Sequence, residues 1–133
     1  MRLWHIDLIP YLPKSQLLAQ WRELNSIFKK QDKHILISYI YDYPKEYLWW
    51  YSQVVINEIQ KRCYDIKTWD NYNKYFSYTE PNFNLRFKEH NNQYLTMNYW
   101  NLAEKYIRGQ KDFTKEVWDK LDEFYKKEML KDE

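Results

Sequence analysis

Glu23 is the residue around which chemistry can be organised in this 133-residue chain. It lies in the stretch Leu17-Leu18-Ala19-Gln20-Trp21-Arg22-Glu23-Leu24, and Leu17, Leu18, Trp21, Leu24 and Phe28 recur at helical spacing. That period predicts a helix from Ser15, its expected cap, to about Lys30. At about 100° per residue, Trp21 falls in the middle of the apolar stripe, Arg22 at its edge, and Glu23 roughly opposite the core. Ala19 and Ser26 flank Glu23, so a ligand can approach it closely, and Lys29, Lys30, Lys33 and His34 follow on nearby positions. A carboxylate so placed can move a proton or stabilise a developing positive charge. Basic neighbours can hold phosphates. The same residues also read as a solvated helix face, with Lys29-Lys30 complementing the helix C-terminus. Spacing alone leaves both readings open.

The elements that must position this segment are helical. Residues 1–13 read as an extended entry, with Pro10 and Pro13 forbidding regular helix there. Pro44 suits the first turn of a second helix that runs to about Arg62, with Tyr47, Trp50, Tyr51, Val54, Val55, Glu58 and Ile59 along one side. Between the first two helices lies a connection rich in charge and tyrosine, interrupted by Ile35-Leu36-Ile37. Residues 63–89 lack a steady period and read as a long structured loop with room for one short helix. Asn91 or Asn92 can start a third helix carrying Leu95, Tyr99, Leu102 and Tyr106, and Gly109 stands where a C-cap belongs. Asp112 or Thr114 can cap a last helix with Val117, Leu121, Phe124 and Tyr125 on one side. The expected architecture is all-α: a single domain over residues 1–133, of about four helices with an extended N-terminal segment.

Composition supports this class. The chain has one Gly and four Pro, too few for the many tight turns of a sandwich or barrel, and no Gly-rich phosphate loop. Seven Trp and 14 Tyr must supply much of the core, and some can serve as stacking platforms for bases; Trp49, Trp50, Trp69, Tyr72 and Tyr75 are the candidates. One cysteine, Cys63, excludes an internal disulfide and a multi-cysteine zinc site. His5, His34 and His90 have no ligand spacing, so neither a metal nor a cofactor is expected. The net charge of +2 is a weak global sign of an anionic partner, so clustering matters more. No apolar run reaches the length of a signal segment or a membrane span, and a soluble cytoplasmic protein is expected.

The order Leu17 to Leu24, then Phe28, then Lys33-His34, resembles the pyrimidine-dimer DNA glycosylase (endonuclease V-like) family. Weaker echoes are Glu58, Arg62 and Asp65-Ile66-Lys67, and His90 with Leu102 and Glu104-Lys105. The opening Met1 to His5 and Ile9 to Pro13 resembles a bacterial branch of the same family. The likeness implies a compact set of helices with the first segment threaded between them, so that the amino terminus reaches the active site. It implies a DNA repair activity: cleavage of the glycosidic bond of a damaged pyrimidine, then nicking of the abasic strand. By resemblance, the nucleophile is an N-terminal α-amine, here that of Met1, forming a Schiff base with the sugar. Glu23 assists proton transfer and stabilises charge on the sugar, with Arg22 beside it. Such chemistry is sound in principle, since α-amines keep a usable neutral fraction near pH 7.

The expected partner is double-stranded DNA, met by a monomer in the nucleoid, through Arg22, Ser26, Lys29, Lys30, Lys33, His34 and His90. One departure bears on the chemistry. The family's second residue is small, so the initiator Met is removed; Arg2 implies that Met1 is retained. The amine then moves out by one residue, about 3.5 Å of extended chain, which leaves a non-catalytic or altered-specificity DNA-binding relative, or a helical interaction domain, as the alternative readings. His5 is a second departure, and reads either as an acid or base near Glu23 or as a hydrogen-bonded structural histidine.

Overall fold

The computed structural model describes residues 1–31 and 33–131. Its elements, in order, are a 3-10 helix Ile6–Tyr11, α1 (Lys14–Lys29), a 3-10 helix Ser38–Asp42, α2 (Lys45–Lys61), α3 (Asp70–Tyr75), α4 (Asn92–Ile107) and α5 (Lys115–Leu130). The described residues contain no strand, and the all-α expectation holds. The additional short helix, α3, falls inside the long loop, where Trp69 and Tyr72 pack edge-on or tilted against Trp21 of α1. No described helix is long and apolar enough to cross a membrane.

The N-termini of α4 and α5 follow the expected capping chemistry, and that of α1 does not. Asn91 Oδ1 accepts from Tyr94 N at 3.0 Å and Thr114 Oγ1 from Val117 N at 3.3 Å, so α4 and α5 carry side-chain N-caps. Gly109, at φ 84°, closes α4 through Gly109 N to Tyr106 O and Gln110 N to Lys105 O. Cys63 takes the same left-handed conformation after α2, at φ 65°, where a side chain costs about 1–2 kcal/mol. The exception is Ser15. The first helix is preceded by Pro13, which offers no side-chain cap, and Ser15 N donates instead to Asp112 Oδ2 at 2.6 Å. A residue 97 positions away caps α1, which ties the start of α1 to the α4–α5 turn.

The entry segment is not extended throughout. Residues 1–5 form no regular element, and Ile6–Tyr11 wind into a 3-10 helix with Pro10 inside it. His5 makes this possible, because its Nδ1 accepts from Asp7 N at 3.1 Å and caps the short helix. Arg62, at the end of α2, braces the same segment by donating to Leu12 O at 2.8 Å and Pro10 O at 3.0 Å.

The core runs through the middle of the molecule and includes Leu3, Leu8 and Ile9 of the entry segment with Leu17, Leu24, Tyr51, Val55, Ile59, Leu95 and Leu102. On α2 the buried face is Leu48, Tyr51, Ser52, Val55, Ile56 and Ile59, so the stripe is turned from the expected one and Tyr47, Trp50 and Val54 lie on its flank. The reason is that α2 is covered on two sides, by α1 and by the entry segment. Fully burying a leucine or isoleucine contributes about 1.5–3 kcal/mol, so Leu3, Leu8 and Ile9 alone bind this segment firmly into the bundle.

Candidate active site

A segment threaded through a helical core has no strand neighbours to satisfy its backbone. Each buried N–H and C=O of residues 2–6 therefore needs another partner. Helices supply them as buried polar side chains. Gln20 of α1, fully buried, donates from Nε2 to Arg2 O at 3.1 Å and accepts at Oε1 from Trp4 N at 2.8 Å. Tyr51 of α2 donates its hydroxyl proton to Trp4 O at 2.6 Å. From α4, Tyr94 donates to Leu3 O and Asn98 Oδ1 accepts from His5 N at 2.8 Å. His90 Nδ1 accepts from Ile6 N at 3.1 Å. The N-terminal path is thus fixed residue by residue.

This path explains the setting of Glu23. The first residues of the chain pass close to Glu23, which is half-buried although Arg22 and Ser26 near it on α1 are exposed. Gln20 Nε2 donates to Glu23 Oε2 at 3.2 Å, and the Arg2 backbone N–H is near enough to favour the ionised carboxylate. Burial raises the Glu23 pKa; the nearby Met1 α-ammonium, the Arg2 backbone N–H and the Arg2 and Arg22 guanidinium groups pull it partly back. A carboxyl with its proton affinity raised in this way, beside an amine, is equipped for acid–base work.

Met1, Arg2, Trp4 and Glu23 line one cleft of about 370 Å³ together with Leu36, with Asn101, Glu104 and Lys105 of α4, and with its C-cap Arg108. The Arg2 guanidinium lies over the Trp4 ring at 5.3 Å, and Arg108 pairs with Glu104 at 2.9 Å. A larger cavity, about 500 Å³, lies elsewhere, between the first 3-10 helix, α2 and α5. Its Asp7 and Arg86 engage each other through two hydrogen bonds of 2.7 and 3.1 Å, and it shares no residue with the Glu23 cleft. The smaller cleft is the one lined by Met1 and Glu23. Among the described residues, no three His, Cys, Asp or Glu side chains converge so as to hold a metal ion.

The remaining residues singled out in the sequence divide into outside and inside. Arg22, Ser26, Lys29, Lys30, Lys33 and His34 are exposed. Ser26 Oγ donates back to Arg22 O at 3.2 Å. Lys29 lines a shallow basic cleft with Lys45 and Lys74. His90, expected to face DNA, is instead 3% exposed, with Nε2 2.7 Å from the Tyr39 hydroxyl, and burial lowers its pKa to about 3. A ring so enclosed offers no surface to a duplex. His5 is also buried, stacks on His90 at 5.5 Å and spends Nδ1 on the 3-10 cap; its pKa is lowered, chiefly by burial. It does not line the Glu23 cleft. Trp69, Tyr72 and Tyr75 belong to the aromatic packing around Trp21 and Phe28, while Trp49 and Trp50 flank the exposed Phe83.

The sequence reading did not single out Gln20, Tyr51, Tyr94 and Asn98 for the site, nor Asn101, Lys105 and Arg108. Gln20 was legible in principle: it falls on the buried side of α1, between Leu17 and Leu24, where an amide must have a partner.

No curated protein and no solved structure matches the chain. A family model, the pyrimidine dimer DNA glycosylase, matches residues 1–71. That span includes Met1, Arg2, Gln20, Arg22, Glu23, Leu36 and Tyr51, and stops before α4. The chain belongs to the pyrimidine dimer DNA glycosylase family.

Proposed function

We propose that this chain is a DNA glycosylase with abasic-site lyase activity, acting on a damaged pyrimidine in double-stranded DNA. The observation that carries the reading is the convergence of Met1, Arg2 and Glu23 on one cleft. The Met1 nitrogen bonds to C1′ of the damaged nucleotide as the glycosidic bond breaks, and the base leaves with a proton that Glu23 can supply. The sugar ring opens at its C1′–O bond, leaving a Schiff base. Loss of a C2′ proton, with Glu23 as acceptor, expels the 3′ phosphate, and water then releases the amine. The Glu23 carboxylate also faces the positive charge that builds on the sugar as the base departs.

Arg22, Ser26, Lys29, Lys30, Lys33 and His34 hold the backbone on one side of the cleft, and Lys105 and Arg108 on the other. The protein works as a monomer on nucleoid DNA in the cytoplasm. His5 and His90 are positioning residues, through the backbone of the entry segment. The test is incision of a duplex carrying one pyrimidine dimer. The reading predicts nicking that needs the lesion and fails in Glu23→Gln; nicking of undamaged duplex at the same rate contradicts it.

A second reading, a DNA-binding relative without lyase chemistry, is favoured by Arg2 in place of the family's small residue. An amine displaced by even 1 Å can lose about 100-fold in rate. Tight binding of the dimer duplex without incision distinguishes it.

A further inference from the structure

Arg2 lines the cleft next to Met1 and Glu23, and Gln20 fixes its backbone there by donating from Nε2 to Arg2 O at 3.1 Å. Its side chain is held differently. The guanidinium lies over the Trp4 ring, 5.3 Å from the centroid. Trp4 is itself buried, with its N and O bonded to Gln20 and Tyr51. A guanidinium seated on a fixed ring needs no carboxylate to hold it, so its N–H fork stays open to a ligand. Among the described residues no carboxylate forms an ion pair with Arg2, and Glu23 feels its charge only through space. The other cations of the cleft are Arg108, bonded to Glu104 at 2.9 Å, and Lys105 on α4.

Strand scission asks for three groups at three consecutive sugar carbons. An amine takes C1′, and a base takes a proton from C2′. The electron pair of that C–H bond ends as the C2′=C3′ double bond, and the C3′–O bond breaks with its own pair going to the phosphate. The phosphate starts as a diester with one negative charge and gains a second as it leaves. A donor aimed at that oxygen binds the transition state more tightly than the ground state, so it speeds the step rather than only tightening binding. Met1 and Glu23 fill the first two positions. Arg2, next in the chain to the nucleophile, brings an open cation to the same cleft.

We propose that Arg2 is a catalytic residue for strand scission: its guanidinium, seated on Trp4, donates to the 3′ phosphate as that phosphate leaves. This rests on the lyase reading above, and the two fail differently. The experiment uses the full chain and a duplex with one abasic site. Borohydride-trapped adduct and strand scission are followed separately in single turnover, for the wild type, Arg2→Gln and Arg2→Lys. Gln and Lys are both too large for removal of the initiator, so Met1 stays in every variant; the intact mass checks this and a thermal melt checks folding. The same rates are read with a methylphosphonate, a neutral linkage, on the 3′ or the 5′ side of the abasic sugar.

Arg2→Gln should form the adduct at close to the wild-type rate, while scission falls about ten- to hundredfold, the value of a hydrogen bond to a charged group. Arg2→Lys, which keeps the charge and loses the fork, recovers part of the rate. A 3′ methylphosphonate removes the difference between wild type and Arg2→Gln, and a 5′ one leaves it in place. Unchanged scission, an equal loss of adduct and scission, or a difference that survives the 3′ linkage or vanishes only with the 5′ one overturns the assignment while leaving the lyase reading intact. A wild-type chain that forms no adduct overturns that reading and the role of Arg2 with it.

Discussion

Gln20 and Glu23 lie one turn apart on α1, and the amide of the first donates to the carboxylate of the second at 3.2 Å while also donating to Arg2 O at 3.1 Å. One buried side chain thus sets the distance between the entry segment and the carboxyl group beneath it. Gln20→Leu keeps the volume and removes every one of these hydrogen bonds, leaving Arg2 O and Trp4 N without their side-chain partner. We expect a loss of about 2–6 kcal/mol, from two buried groups at roughly 1–3 kcal/mol each. Urea unfolding measures it. Incision should fall further than stability explains, at temperatures where the variant is still fully folded.

Glu23→Gln should separate stability from activity. Burial raises the Glu23 pKa, so the folded state holds its proton to higher pH than the unfolded chain does. Above the ordinary carboxylate range the ionised group therefore opposes folding; below it the proton is bound in both states and the effect is gone. Glu23→Gln accordingly melts higher than the wild type at pH 7, and the difference shrinks at pH 3.5. Calorimetry at the two pH values checks this. A site residue whose removal stabilises the fold is the usual signature of a local cost accepted for function.

The buried histidines set an acid limit. Both have pKa values lowered by burial, His90 to about 3, so the unfolded chain binds their protons first. Their contribution is complete above pH 6.5 and is lost as pH falls from there towards 3. For His90 the slope approaches about 1.4 kcal/mol per pH unit in that window. Asp7 and Arg86 bear on His5 with opposite sign, so its share is the smaller. Urea midpoints between pH 4 and 8 should fall on the acid side, and His90→Gln, less stable at pH 7, should show a flatter profile.

Phosphate contacts are read from salt. Substituting Lys105 or Arg108 by Ala should lower the slope of log affinity against log salt by about one each, and Lys29, Lys30 and Lys33 likewise. Glu104, paired with Arg108 at 2.9 Å, makes a control, since Glu104→Gln should raise affinity or leave it unchanged. Equal slopes for wild type and all variants would place the DNA on another face.

Much of the fold was legible. Leu17, Trp21, Leu24 and Phe28 repeat at helical spacing and are buried together, Gly109 ends α4, and Asn91 and Thr114 cap their helices. The turned stripe of α2 was not, because periodicity finds one apolar face and α2 packs on two sides. Ser15 failed as a cap because the competing acceptor, Asp112, is 97 residues away. The site was half legible. Arg22 and Glu23 stand out as a pair, and family likeness supplies Met1. Gln20, Tyr51, Tyr94 and Asn98 look like ordinary helix residues until an extended segment passes between them and demands partners for its backbone. His90 misled for the same reason: a histidine near a helix start reads as a surface group unless something is known to lie over it.

The central claim is that the Met1 amine and Glu23 act together on a sugar. Borohydride reduction during reaction with an abasic duplex tests it directly, with the adduct mapped by mass spectrometry after digestion. The account predicts a covalent adduct on the Met1 nitrogen, formed by the wild-type chain, abolished by reductive methylation of the α-amine, and strongly reduced in Glu23→Gln. DNA that binds with no trapped adduct, or an adduct that maps to a lysine side chain, would contradict it.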